Sequence, residues 1–324
     1  MLKLAVNHSV ISSDALMPVI HDLYDIGEIL EIRFLSNGLN DTYLVIASER
    51  KYVLRIYKAN WRSKSDIECE IELLHHLISN GVPVSHSVKK KDGGYLIELA
   101  APEGHRFAAL FTFAEGGHSD TLENSSLYGI EVAKMHRAMD DFHSSHDRFI
   151  IDLDHLLEKP FQSIKPLLTH RPHDIEYLES LSKLLRDRIE DISSELDWGM
   201  CHGDLHGGNV YFHQDTLTHF DFDCGGLGWR AYDIAVFLWA KVRCRGKDAF
   251  ENEMWSAFLA SYQEHKPLSD RDLEAVPVFI AIREIWLMGL HTGNAPVWGA
   301  WQNDHYYDIN LKFLREWCAE HNID

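Results

Sequence analysis

His202-Gly203-Asp204-Leu205-His206-Gly207-Gly208-Asn209 is the stretch on which the reading of this chain turns. It sets a carboxylate and a carboxamide in a D-x-x-x-x-N arrangement, and glycines permit backbone turns that other residues resist. The loop can therefore bring Asp204 and Asn209 to one side. Downstream, Val210-Tyr211-Phe212, the turn His213-Gln214-Asp215-Thr216 and Thr218-His219-Phe220 read as a hairpin that returns Asp221 beside Asn209. A second acidic segment then follows, Phe220-Asp221-Phe222-Asp223. A lone D-x-x-x-x-N match would recur by chance. The full run, with both histidines, the glycines, the hairpin and the second acidic pair, is far more specific. Phosphoryl transfer needs this set: a carboxylate to orient a hydroxyl and accept its proton, and oxygen ligands for Mg²⁺. Magnesium takes hard oxygen ligands and keeps several waters, so the Asn209 amide oxygen with the Asp221 carboxylate is a sufficient minimal pair.

Working outward toward the N-terminus, residues 14–25 predict a short helix capped by Ser13 or Asp14. Three antiparallel strands are expected next: Ile29-Leu30-Glu31-Ile32-Arg33-Phe34-Leu35, Thr42-Tyr43-Leu44-Val45-Ile46 and Tyr52-Val53-Leu54-Arg55-Ile56-Tyr57. Between the first two lies the turn-rich Ser36-Asn37-Gly38-Leu39-Asn40-Asp41. Ile67, Ile71, Leu74 and Leu77-Ile78 then recur at helical spacing over 65–80, with Ser65 as cap and Gly81 past the end. Strands are predicted near 84–90 and 95–99 and at Ala108-Ala109-Leu110-Phe111-Thr112-Phe113, and Glu115-Gly116-Gly117 breaks the pattern. Helices are expected at 123–140, 174–194, 232–243, 248–264, 270–291 and 305–320, with a β-rich interruption over 198–223. The fold class this implies is α+β and two-lobed. Residues 1–114 would form the β-rich nucleotide-binding lobe, and 115–324 the mainly helical catalytic and substrate-binding lobe, with a cleft between.

The chain resembles the aminoglycoside phosphotransferase and choline kinase superfamily, homoserine-kinase-like members included, which shares the protein-kinase-like fold. That family's loop reads H-G-D-[LFI]-H-x-x-N, followed by [IF]-D-[FWL]-[DE] and a D-[LI]-A helix start. Here these are residues 202–209, Phe220-Asp221-Phe222-Asp223 and Tyr232-Asp233-Ile234-Ala235. The resemblance implies Asp204 as base, Asn209 and Asp221 as Mg²⁺ ligands, and Asp233 as a structural anchor of the loop. It implies ATP as cofactor, covered by the loop containing Ser36, Asn37, Gly38 and Asn40. A basic residue on the third strand should pair with a helical Glu. Arg55 stands where protein kinases carry Lys, and an arginine can hold phosphate oxygens bidentately. Lys58 is its fallback. Glu70 is the partner by the E-x-x-x-L pattern, with Glu68 and Glu72 as alternatives. Adenine would lie against backbone groups of Thr112 and Ala114. The resemblance covers residues 28–240.

Bulk composition bounds the rest. The 324 residues are 45% hydrophobic and 25% charged, enough for real cores and an ordinary globular share. Fifty acidic against 31 basic residues give a net charge of −19. That repels nucleic acid and anionic membranes, and it either favours a cationic substrate or simply keeps the protein soluble. Cys69, Cys201, Cys224, Cys244 and Cys318 form no CxxC pair, which predicts free thiols in a reducing cytoplasm. Cys201 reads as a buried small residue, not a nucleophile. Residues 1–8 do not read as a signal peptide, and no run approaches about 18 apolar residues. Of the 21 histidines, His202 is expected to order the loop by hydrogen bonding, and His202 with His206 lacks the Glu of a zinc HExxH site. Asp223 could ligate a second Mg²⁺ or cap a turn.

The acceptor pocket is expected in the C-terminal half, where Arg283-Glu284-Ile285-Trp286-Leu287-Met288-Gly289-Leu290-His291, Trp298, Trp301, Asp304 and Tyr306-Tyr307 combine carboxylates with aromatics. Such faces suit an ammonium-bearing molecule, although ordinary helix packing shows the same pattern. The expectation is a small-molecule kinase acting on a hydroxyl of an amino-alcohol or aminoglycoside-like acceptor, as a monomer or homodimer. The alternatives are a bacterial stress-response Ser/Thr protein kinase of the same fold and a nucleotide-binding pseudokinase. The absence of an A-P-E segment favours small molecules over protein substrates.

Overall fold

β-Branched and aromatic residues alternate through Ile29–Asn37 (β1), Asn40–Ala47 (β2) and Lys51–Tyr57 (β3), the composition that suits a pleated, half-buried surface. In the computed structural model, which describes residues 4–244 and 249–323, these strands pair antiparallel, with Thr42 opposite Arg55. Ile97–Ala101 (β4) and Gly104–Thr112 (β5) complete a five-stranded sheet in the order β1-β2-β3-β5-β4. Tyr43, Val45, Leu54, Ile56 and Leu110 form its core with Leu16 and Ile20 of Ser13–Leu23 (α1).

Lys64–Ser79 (α2) packs Ile67 and Ile71 against Tyr57. Its cap is Ser63, not Ser65: Ser63 and Asp66 exchange the reciprocal hydrogen bonds of a capping box. The strand expected over 84–90 is reduced to isolated bridges, Val84 with His219 and Ser87 with Phe111.

The chain divides into two compact units. The first holds residues 1–116, 143–147 and 218–220; the second holds the remainder. The second unit is mainly helical, as expected. Leu122–Asp140 (α3) packs on Ala249–His265 (α7), and Asp270–Gly293 (α8) packs on Arg230–Cys244 (α6) and Lys159–Ile164 (α4). Pro172–Ile192 (α5), Ala295–Trp298 (α9) and Asp304–Glu320 (α10) complete the helices described. The helix expected from residue 248 has that first residue outside the described residues.

Ile150–Ile151 (β6), Trp198–Cys201 (β7) and Gly226–Trp229 (β10) form a small sheet in the order β6-β10-β7, and Val210–His213 (β8) with Thr216–His219 (β9) forms a hairpin. Cys69, Cys201, Cys224 and Cys318 are buried free thiols; the Cys244 side chain and residues 1–3 lie outside what is described. No described helix is long and apolar enough to cross a membrane.

Candidate active site

β7 delivers the chain into the loop, and α6 receives it. The N–H groups of His202 and Gly203 donate to Asp233 Oδ2 (2.6 Å) and Oδ1 (2.7 Å) in the first turn of α6. Asp233 is fully buried. Burial favours its neutral form, but contact with His136 (Nε2 to Oδ2, 3.1 Å), His202 and the Gly203 N–H keeps its carboxyl below the usual range. This is the anchoring expected of it. Gly203 is the residue the turn requires: its φ is +78°, and a Cβ there would lie 2.1 Å from the Cys224 carbonyl oxygen.

Past that turn stands Asp204, whose side chain keeps 19% exposure. Asn209 Nδ2 donates to its backbone oxygen (2.8 Å) and to Oδ2 (3.0 Å), and His206 Nε2 lies 3.3 Å from Oδ2. Arg283 of α8 donates to Oδ1. Burial would raise the Asp204 carboxyl, but the Arg283 guanidinium, with His206 and His202, outweighs it and holds the group far below the ordinary carboxylate range. The Asn209 amide nitrogen is thus committed to Asp204. His206 also caps the short turn Gly207–Asn209, its Nδ1 accepting from the Gly208 N–H (2.9 Å).

Asp221 opens the turn Phe222–Cys224 in the left-handed region (φ 67°, ψ 60°). Arg148 steadies that turn by donating to the carbonyls of Phe222 (3.0 Å), Asp223 (2.8 Å) and Gly225 (2.6 Å). An oxygen-only pair drawn from Asn209 and Asp221 fits Mg²⁺ by its donor chemistry. Cys201 is wholly buried and its thiol is pushed up by that burial, which agrees with its expected inert role.

In the first unit Arg55 Nη1 donates to Glu70 Oε1 at 2.7 Å, and the Tyr57 hydroxyl donates to Oε2 at 3.1 Å. Of the three candidate carboxylates on α2, Glu70 is the one that meets Arg55; Glu68 and Glu72 face His146. Lys58 sits near Asp41 and Arg106, its amine lowered to about 8 by burial. Ser36 and Asn37 end β1, Gly38 donates its N–H to the Asn40 carbonyl (3.0 Å), and Asn40 begins β2. Thr112 donates its N–H to the His86 carbonyl (2.9 Å), and its own carbonyl accepts from the Ser85 hydroxyl (2.6 Å). Ala114 is buried.

Arg283, His206 and Tyr232 were not expected at Asp204. The available signal was Arg283-Glu284 inside the apolar run Phe279-Ile280-Ala281-Ile282 and Ile285-Trp286, because charge placed there must be paired. The aromatic residues expected around the acceptor cluster in part: His291 Nδ1 lies 2.9 Å from the Tyr306 hydroxyl, and the His291 ring lies 5.0 Å from Trp301 and 6.1 Å from Trp298.

Residues 31–268 match the phosphotransferase enzyme family. A homoserine kinase of Brucella anthropi is 29% identical over 79% of this chain and 76% of its own length. Two solved structures share the fold. One is amicoumacin kinase hAmiN in complex with AMP-PNP, Ca²⁺ and Ami (TM-score 0.77, 20% identity, 96% of this chain and 94% of that one). The other is a microcompartment-associated aminopropanol kinase (TM-score 0.75, 22% identity, 96% and 97%). The β-rich N-terminal unit and the helical remainder are therefore the kinase-like fold that the 202–209 loop predicts, and the chain belongs to the phosphotransferase enzyme family.

Proposed function

We propose that this protein transfers the γ-phosphoryl group of ATP to the hydroxyl of a small amino-alcohol, with Asp204 as the base. The observation that carries the reading is the setting of Asp204: partly exposed, and held at Oδ1 by Arg283 and at Oδ2 by the neighbouring Asn209. Mg²⁺, when held by the Asn209 amide oxygen and the Asp221 carboxylate, neutralises charge on the phosphates. Asp204 accepts a hydrogen bond from the acceptor hydroxyl and takes its proton as that oxygen bonds to the γ-phosphorus. The bond to the bridging oxygen breaks, and ADP carries the electron pair away. Arg55, oriented by Glu70, meets the remaining phosphate oxygens as a planar fork.

The hairpin at Ser36, Asn37, Gly38 and Asn40 covers the phosphates. Adenine lies along Thr112 to Ala114, where the Thr112 N–H is already committed and only its carbonyl retains a lone pair. Homoserine and aminopropanol, named for two similar proteins, are both amine-bearing alcohols, which supports that acceptor class. Asp204→Asn tests the assignment. It preserves shape and should retain ATP binding, while turnover falls by about 10²–10⁴. The assay uses ATP with a panel of homoserine, 1-amino-2-propanol, choline and aminoglycosides. Unchanged turnover removes Asp204 from the mechanism.

A further inference from the structure

We propose that Arg283 of α8 is the positioning residue of Asp204, fixing the plane of its carboxylate so that the lone pair left open faces the acceptor hydroxyl. This rests on the reading of Asp204 as the base. Arg283 is 2% exposed. Its guanidinium carbon lies 4.4 Å from the ring centroid of Trp286 and 5.1 Å from that of Trp239. The Trp239 indole is itself pinned, its Nε1–H donating to Glu284 Oε2 at 2.7 Å. Within this setting Nη1 donates to the Tyr232 hydroxyl (3.2 Å) and Nη2 to Asp204 Oδ1. Arg283 Nε is buried and makes no hydrogen bond among the described residues.

A buried ion pair is costly to fold around: well-packed apolar side chains in place of both partners are often neutral or better for stability, whereas removing one partner strands the charge of the other. Indole faces offset part of the cost. The rest falls to Asp204, so the ion pair is a poor device for stability and a good one for geometry. Asp204 is then gripped from both sides: Oδ1 by α8, Oδ2 by Asn209. Each carboxylate oxygen has two lone pairs; Oδ2 meets Asn209 and His206, so the site left open to an incoming hydroxyl is the second lone pair of Oδ1. A freely turning carboxylate would have to be oriented during reaction; this one is oriented beforehand.

Two measurements separate this inference from the functional reading. The first needs no substrate: thermal unfolding of Asp204→Asn, Arg283→Met and the double variant. Arg283→Met should lower Tm by several degrees, and adding Asp204→Asn should recover about half of that loss, because the orphaned carboxylate is gone. Strictly additive shifts overturn the pairing. The second is steady-state turnover with ATP and Mg²⁺, using homoserine, 1-amino-2-propanol and water as acceptors. Arg283→Met should reduce kcat by about 100-fold with KM for ATP within about threefold of wild type. Arg283→Lys, which keeps the charge but loses the fork, should recover about tenfold of that loss. A kcat within about threefold of wild type in Arg283→Met overturns the positioning role. Should the Met variant not fold, Arg283→Lys carries the comparison: a kcat equal to wild type overturns it, and a tenfold fall with ordinary unfolding supports it. Wild-type protein that turns over none of the three acceptors overturns the functional reading and the catalytic half of this inference, while the unfolding cycle still decides the ion pair.

Discussion

Asp221 occupies left-handed backbone (φ 67°, ψ 60°), which costs an L residue other than glycine about 1–2 kcal/mol. Asp and Asn tolerate it best because their short polar side chains can bond locally. On the proposed function that conformation is kept because Asp221 is a Mg²⁺ ligand, and the substitution that separates strain from chemistry is Asp221→Asn. Backbone preference is retained, so Tm should stay within a few degrees of wild type. Charge at the metal is lost, so turnover should fall by at least about 100-fold and the Mg²⁺ concentration for half-maximal rate should rise. A variant with wild-type magnesium dependence removes Asp221 from the ligand pair. At this scale the loop was legible because Asp204 and Asn209 lie in one local run, and local contacts follow from spacing. Arg283 lies 79 positions from Asp204, and nothing in a single sequence couples residues so far apart. The sequence shows only that a charge in an apolar helix needs a partner, not which partner it finds.

Elements carry the site through their packing, and α3 is the clearest case. It supplies His136 to Asp233 and crosses α7 at Gly129, where a Cβ would meet the Phe258 carbonyl oxygen at 2.2 Å. Gly129→Ala improves helix propensity by up to about 1 kcal/mol. The atoms a Cβ would meet are all backbone of α7, the Phe258 carbonyl and the Tyr262 nitrogen, so the helices must separate. The net effect should be destabilisation by about 1–3 kcal/mol, read as a lower urea midpoint with unchanged slope. A stabilised variant would mean that α3 and α7 shift apart without loss. Element legibility followed local signal strength. The long helices α5, α6, α7, α8 and α10 announce themselves through their period, and the four-residue α9 does not. The cap of α2 was set two residues late because its box ends in Asp66, whereas the familiar signature ends in Glu or Gln. The segment 84–90 has β-like residues, but Pro83 lacks an N–H, and its neighbours spend their hydrogen bonds on Thr112, Leu110 and His219 one at a time. β10 was invisible as Gly226-Leu227-Gly228-Trp229, since two glycines in four residues erase the strand preference.

For the molecule as a whole, the acid limb of stability should turn on His136. It is fully buried between Tyr262, whose hydroxyl lies 2.9 Å from Nδ1, and Asp233, 3.1 Å from Nε2. The neutral ring with its proton on Nε2 satisfies both contacts, donating to the carboxylate and accepting from the phenol. Burial lowers its pKa to about 4, against the upward pull of Asp233 and with Arg230 and Lys266 reinforcing the fall. In the unfolded chain the imidazole titrates near about 6.5. Between those values the unfolded state binds a proton that the folded state refuses, so stability rises with pH across the window. The contribution is fully present above about pH 6.5 and is lost as pH falls toward 4, amounting to about 3 kcal/mol. The net charge of −19 acts in the opposite sense, because protonating carboxylates relieves self-repulsion as pH drops. A direct pH scan therefore mixes the two. Comparison with His136→Gln separates them, since the global charge term is nearly common to both proteins. Gln can donate to Asp233 but does not titrate. The variant should be less stable than wild type at pH 7, and that deficit should shrink by about 3 kcal/mol by pH 4. Urea unfolding at half-unit steps of pH measures it. A deficit that instead widened as pH fell would mean that His136 is protonated in the fold, and that Asp233 holds the 202–209 loop as a buried ion pair instead of as a neutral histidine's acceptor.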